Sequence, residues 1–288
     1  MNFKGIAPAI ITPFTPKGEV DYPALGSLVE YWINGGVDFL VVLGTTGESA
    51  TLDKQEKKEV FEYVANQVKG RVPVVLGIGG NNTREIIHSL NDFDLAKAQG
   101  ILSVSPYYNK PTQEGIFAHY SAFAAECPLP VILYNVPGRT GSNVLPATTL
   151  RLAHEVENIV AVKEASGNME QIMQIISEKP EGFHVLSGDD AITLPLLACG
   201  ADGVISVVAN SHPKEFSDMV KLAMAGDMAG ARVLHYSLLR VIEHLFAEGN
   251  PGGIKAVMKI KGLCGDSMRL PLVNISEALY EKIERIVS

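Results

Sequence analysis

The chain has 288 residues, 47% of them hydrophobic and 19% charged, and carries a net charge of −8. That length with so large an apolar share suits one large α/β barrel or two modest domains and excludes a small sandwich. The acidic balance argues against a nucleic-acid or anionic-membrane partner, because both need a concentrated basic face, and lysine-rich stretches such as Lys54-Gln55-Glu56-Lys57-Lys58 are interleaved with acids.

Eight short apolar runs follow one another: residues 5–13, 38–43, 73–78, 101–105, 131–135, 159–163, 184–187 and 203–208. Helical spacing fills the gaps. Val60, Val64 and Val68 share one face, as do Ile86, Leu90 and Phe93. Asp53 with Glu56, and Asn82 with Glu85, have capping-box spacing and mark helix starts. Apolar strands alternating with helices predict a parallel sheet covered on both faces. Eight such units within residues 1–225 predict a closed (β/α)₈ TIM barrel. The open doubly wound sheet usually has a glycine fingerprint after its first strand, which Phe14-Thr15-Pro16-Lys17 lacks. Beyond the barrel the strand pattern stops. Residues 227–247, 253–262 and 275–287 read as helices of a C-terminal appendage over 226–288.

Two segments imitate export or membrane signals. Residues 5–14 hold Ala7-Pro8-Ala9, but Pro8 and Pro13 interrupt a core too short for a signal peptide. Residues 191–209 approach the length of a bilayer span, but Pro195, Gly200, Asp202 and Gly203 cut them into helix, turn and strand. Cys127, Cys199 and Cys264 are odd in number and far apart, so no disulfide framework is expected and a reducing cytoplasm fits. The histidines show no HxH or HExxH spacing, and the glycine-rich stretches lack a P-loop ending. Neither a metal nor another cofactor is expected.

In a barrel of this kind the functional groups sit at the C-terminal ends of strands and in the loops that follow. Lys163 closes the apolar run Asn158-Ile159-Val160-Ala161-Val162-Lys163. A lysine on a buried strand is costly unless it finds a partner, and a neutral amine is a nucleophile toward carbonyl carbon. The bland alternative is a side chain that reaches solvent or the neighbouring Glu164. Other strand ends carry Gly44-Thr45-Thr46-Gly47-Glu48, Pro106-Tyr107-Tyr108-Asn109, Tyr134-Asn135-Val136-Pro137-Gly138-Arg139 and Ser187-Gly188-Asp189-Asp190. Singly these read as a tight turn, a core aromatic, a solvated arginine and a helix cap. Together they fit imine chemistry, which needs an amine, a proton shuttle and fixed donors for a carboxylate. Lys163, Tyr134 with Thr45, and Thr46 with nearby backbone amides are the candidates.

These motifs, with Lys163-Glu164-Ala165-Ser166-Gly167-Asn168 and Gly203-Val204-Ile205-Ser206-Val207, resemble the dihydrodipicolinate synthase family of pyruvate-dependent class I lyases. N-acetylneuraminate lyase belongs to the same superfamily. The resemblance runs from Gly5 to Leu272. It implies that Lys163 forms an imine with pyruvate and that Tyr134 relays protons through Thr45 and a neighbouring subunit's copy of Tyr108. It also implies that Thr46 and the Ile205 backbone hold pyruvate, that Gly188 lines its pocket, and that Arg139 holds the carboxylate of aspartate semialdehyde. A homotetramer is implied as well. In lysine-regulated relatives an interface pocket uses residues that match Ser49, Ala50, Asn81, Glu85 and Tyr107. Lys54 and Lys57 stand where regulated relatives tend to carry histidine, so weak feedback is expected. Gly253 replaces a proline frequent in the family, in a loop expected to lie away from the chemistry. The competing readings are a sialic-acid or sugar-acid aldolase, which generally lacks an arginine at the position of Arg139, and a non-catalytic barrel that binds a small ligand.

Overall fold

Eight parallel strands form where the apolar runs predict them, in a computed structural model that describes residues 3–287. They are β1 (Gly5–Pro8), β2 (Leu40–Val42), β3 (Val74–Gly77), β4 (Gly100–Val104), β5 (Val131–Asn135), β6 (Ile159–Glu164), β7 (His184–Ser187) and β8 (Gly203–Ser206). Their order is β1-β8-β7-β6-β5-β4-β3-β2. The ring closes between β1 and β2 through an Ala9–Val41 bridge and two backbone bonds, Asp38 N–H to the Ile6 carbonyl at 2.8 Å and Ile10 N–H to the Val41 carbonyl at 2.9 Å.

The two-residue period of a strand then sorts side chains between two cores. Ala7, Val41, Val75, Leu102, Ile132, Ala161, Leu186 and Ile205 fill the barrel interior, and Tyr134 joins them. The alternate residues, among them Ile6, Val42, Leu76, Val131, Val162 and Val204, pack outward against the helices. Lys163 shares its face of β6 with inward Ala161, whereas Glu164 shares its face with outward Val162. Position parity alone therefore separates the amine from the carboxylate beside it.

Four strands, β1, β2, β3 and β8, are shorter than expected, and for β1, β2 and β8 a local reason is visible. β2 stops before Leu43, which has a φ of 61°, and the Leu43 carbonyl closes on Gly77, where a Cβ would lie 2.4 Å from it. β8 ends where one carboxylate oxygen of Asp190 accepts the Val207 and Val208 N–H groups at 3.0 and 2.7 Å. Past β1, the Ile11 N–H donates to Asn210 Oδ1 at 3.0 Å and the Thr12 hydroxyl donates to the Gly47 carbonyl at 2.7 Å. Those residues are buried, but their polar groups are spent on side chains and turns, not on a ladder.

The helix Lys54–Val68 starts with a complete capping box between Asp53 and Glu56 and buries Val60, Val64 and Val68. The helix Thr83–Ser89 is capped by Asn82 accepting from the Glu85 N–H. C-terminal helices span Met228–Phe246, Gly252–Ile260 and Glu277–Val287, close to their expected bounds. Their buried Leu238, Leu245, Ile254, Val257 and Ile283 belong to the same core as the outward faces of the strands. Among the described residues no helix is long and apolar enough to cross a membrane.

Candidate active site

Lys163 is only 5% exposed, and its Nζ lies 4.3 Å from the centroid of the Tyr134 ring. The two residues are register partners on β5 and β6, so the contact follows directly from the sheet. Among the described residues the amine makes no hydrogen bond or ion pair. Glu164 does not supply one. Its Oε1 accepts from Asn135 Nδ2 at 2.7 Å and Gln171 Nε2 at 2.8 Å, and its Oε2 accepts from the Ser166 hydroxyl at 2.6 Å and the Ser166 N–H at 3.2 Å. The bland pairing of Lys163 with Glu164 is thereby removed.

Gly188 stands against this amine's stem. A Cβ there would lie 3.0 Å from Lys163 Cε and 2.7 Å from the Ala165 Cβ, so a side chain would take the space in which the lysine stands. Ile205 is buried in the barrel interior on β8, close to the end of the strand. Asp189 caps the turn after β7 by accepting from the Ala191 N–H at 3.0 Å. Asp190 reaches β8 instead. Burial pushes its carboxyl up to about 6, against the lowering effect of the Val208 N–H, the Ser206 hydroxyl and the Val207 N–H.

The Gly44-Thr45-Thr46-Gly47-Glu48 turn is closed by Gly47 N–H to the Gly44 carbonyl and Glu48 N–H to the Thr45 carbonyl, both at 3.1 Å. Thr46 is buried, and its Oγ1 accepts from Asn250 Nδ2 at 3.0 Å. Thr45 lines a cavity of about 500 Å³ together with Tyr134, Val104 and Tyr107. The same cavity continues outward past Ser49, Asn81 and Glu85, as well as Lys54 and Lys57. Ala50 is exposed and is not part of its lining. Lys54 pairs with Asp92 at 2.6 Å, which offsets one of the two cationic charges expected to repel a basic ligand.

Tyr108 is not brought into the site of its own chain: it is 87% exposed and holds a φ of 72°. Arg139 lies on the short helix Pro137–Thr140 at the surface, with Nη2 3.5 Å from the Asn250 carbonyl. The loop expected to be remote is therefore in contact with the site at two points. Gly253, in the first turn of the helix that follows that loop, packs on the preceding helix, where a Cβ would lie 2.4 Å from the Leu245 carbonyl.

A second buried lysine escaped the sequence reading. Lys255 is fully buried, forms an ion pair with the equally buried Glu48, donates to the Ser267 carbonyl at 2.9 Å and lies 4.3 Å from the Phe14 ring centroid. Arg269 extends the junction. Its backbone N–H reaches Glu48 Oε2 at 3.2 Å, and its guanidinium grips Glu56 with two bonds of 2.7 and 2.6 Å. The available signal was a charge inside the apolar run Ile254-Lys255-Ala256-Val257-Met258. Its partner is far away in sequence.

No group of three or more potential metal ligands is assembled among the described residues. What they assemble is a closed β/α barrel with a buried, unpaired amine on its inner face and hydroxyls at the mouth, the layout of a barrel enzyme that works by amine chemistry. Comparison with known proteins narrows the class. The family model of the dihydrodipicolinate synthetase family matches residues 2–288, and the chain belongs to that family. It is 52% identical over 282 residues to a 4-hydroxy-tetrahydrodipicolinate synthase of Azobacteroides pseudotrichonymphae, covering 98% of this chain and 95% of that one. Among solved structures, dihydrodipicolinate synthase from Aquifex aeolicus superposes with a TM-score of 0.96 at 43% identity, covering 99% of this chain and 97% of that one. DHDPS from Cyanidioschyzon merolae with lysine bound superposes with a TM-score of 0.94 at 40% identity, covering 99% and 98%.

Proposed function

We infer that this protein is a pyruvate-dependent lyase that condenses pyruvate with L-aspartate 4-semialdehyde to 4-hydroxy-tetrahydrodipicolinate, a step toward diaminopimelate and lysine. The observation that carries the reading is the Lys163 amine, buried without a partner against Tyr134. Membership of the family and the likeness to the named synthases support the substrates.

In this mechanism Lys163 Nζ attacks the keto carbon of pyruvate, and water leaves as the imine forms. Loss of a methyl proton gives an enamine, whose carbon attacks the aldehyde carbon of the second substrate. That substrate's own amine then displaces Lys163 from the imine carbon and closes the ring. Overall, the two substrates give the cyclic product, one water and one proton, and the lysine is regenerated. Tyr134 and Thr45 carry protons during carbinolamine formation and collapse, completed by Tyr108 of a second copy. Thr46 and the Ile205 backbone hold pyruvate in a pocket that Gly188 keeps open. Arg139 is exposed and takes the aldehyde's carboxylate with its planar fork. The exposed Tyr107 and Tyr108 on one rim favour a homo-oligomer, a dimer of dimers, and the free cysteines Cys127, Cys199 and Cys264 fit a reducing cytoplasm. Ser49, Asn81, Glu85 and Tyr107 are proposed as a lysine-sensing rim of the same cavity, with Ala50 exposed beside it.

The deciding assay offers pyruvate with either aspartate semialdehyde or N-acetylmannosamine. Turnover with the first alone is expected, and Arg139→Ala should raise KM for aspartate semialdehyde far more than KM for pyruvate. Preferential turnover of the sugar would replace this reading with a sugar-acid aldolase.

A further inference from the structure

The loop that leads into the helix Gly252–Ile260 touches both halves of the site through one residue. Asn250 is buried; its Nδ2 donates to Thr46 Oγ1 at 3.0 Å, and its carbonyl accepts from Arg139 Nη2 at 3.5 Å. Its Oδ1 is buried with no hydrogen-bond partner among the described residues. We propose that Asn250 is a positioning residue that fixes the Thr46 hydroxyl as a hydrogen-bond donor aimed at the carboxylate of the keto acid. The inference deepens the function proposed above and rests on it.

The argument is one of donor and acceptor bookkeeping. A threonine hydroxyl has one proton and two lone pairs. When the Asn250 amide donates to Oγ1, that contact cannot also take the hydroxyl proton, which is left to point elsewhere. A carboxylate accepts and never donates, so only a hydroxyl with its proton directed outward binds it. The reversed amide would set Oδ1 against Thr46 and draw the proton inward.

Both ends of this contact are anchored. Thr46 lies two residues before Glu48 and Asn250 five before Lys255, and these two charged partners form the fully buried ion pair. Gly253, between Asn250 and Lys255, leaves no room for a side chain against the Leu245 carbonyl. A buried acceptor left without a partner destabilises a fold. An apolar residue of the same size would avoid that cost, so the amide is retained for what its other end does. Its contact with Arg139 uses the backbone carbonyl, which every substitution keeps. The side chain therefore acts on the keto-acid half of the site and not on the aldehyde half.

The test is borohydride trapping of the pyruvate adduct, read as the pyruvate concentration that gives half-maximal labelling. Asn250→Leu removes the donor at nearly constant volume and is expected to raise that concentration about tenfold. Asn250→Asp, which presents only acceptors at the working pH, is expected to raise it further. In a Thr46→Val background Asn250→Leu should add nothing, and KM for aspartate semialdehyde should stay at the parent value. A merely structural role would instead give effects that add to Thr46→Val and raise both constants. Half-saturation unchanged in both Asn250 variants would overturn the inference while leaving the function intact. A parent enzyme that traps no pyruvate would overturn the functional reading, and this inference with it.

Discussion

Among the described residues two lysines are buried, each with its side-chain nitrogen 4.3 Å from the centroid of an aromatic ring, and they are opposites in everything else. Lys255, at the junction with the C-terminal helices, is closed off by Glu48 and the Ser267 carbonyl. Lys163, at the barrel mouth, has only the ring of Tyr134 and the space kept by Gly188. Burial alone does not make a lysine reactive. A paired amine holds two segments together, whereas an unpaired one is available for chemistry.

The largest expected effect lies at the mouth. Tyr134→Phe should lower turnover by about 10²–10⁴-fold and leave the denaturation midpoint near that of the parent. Thr45→Val should lose a similar amount. Near-normal turnover in both would remove the hydroxyl relay and with it half of the contrast.

At the junction the effect should fall on stability. Lys255→Met leaves Glu48 buried without its partner and should cost about 3–5 kcal/mol in urea denaturation. Glu48→Gln should cost less in that background than it does alone. Strictly additive costs would show that the two charges are not coupled.

Asp190, which joins the end of β7 to the end of β8, gives the comparison a pH axis. Its folded carboxyl titrates at about 6 against an ordinary value of 3.8, so between those limits the folded chain holds a proton that the unfolded chain has released. Its contribution therefore declines as pH rises through that window, by about 3 kcal/mol in all. Asp190→Asn keeps an acceptor for the Val207 and Val208 N–H groups but cannot ionise. The variant's unfolding free energy relative to the parent should climb across the window and level off above it. Parallel stability curves would contradict the assignment.

The smallest effect is expected at the outer end of the cavity. Free lysine should inhibit weakly, because Lys57 faces the rim and only Lys54 has its charge taken up by Asp92. Lys57→His should tighten lysine binding by up to about tenfold. Strong inhibition of the unmodified enzyme by sub-millimolar lysine would show that Lys57 turns away from the ligand.

What the sequence revealed follows the same division. The eight strands and the places of Lys163 and Tyr134 are local properties: apolar runs, their spacing and the parity of a strand. The strand ends were overextended because what terminates them is remote. Asp190 stops β8 from the end of β7, and Asn210 takes the Ile11 N–H from across the chain. The Glu48–Lys255 and Thr46–Asn250 contacts join residues about two hundred positions apart, and no periodicity encodes such a pairing. Gly253 shows the same limit. Read as part of a loop remote from the chemistry, it is a close-packing site whose reason lies in the preceding helix.

The measurement that bears most directly on the contrast is to incubate the protein with pyruvate and sodium borohydride, then map the modified peptide by mass spectrometry. One reduced pyruvyl group on the peptide that contains Lys163, lost in Lys163→Ala, is the predicted result. Labelling on the peptide that contains Lys255, or labelling that persists unchanged in Lys163→Ala, would contradict the claim that the unpaired lysine is the reactive one.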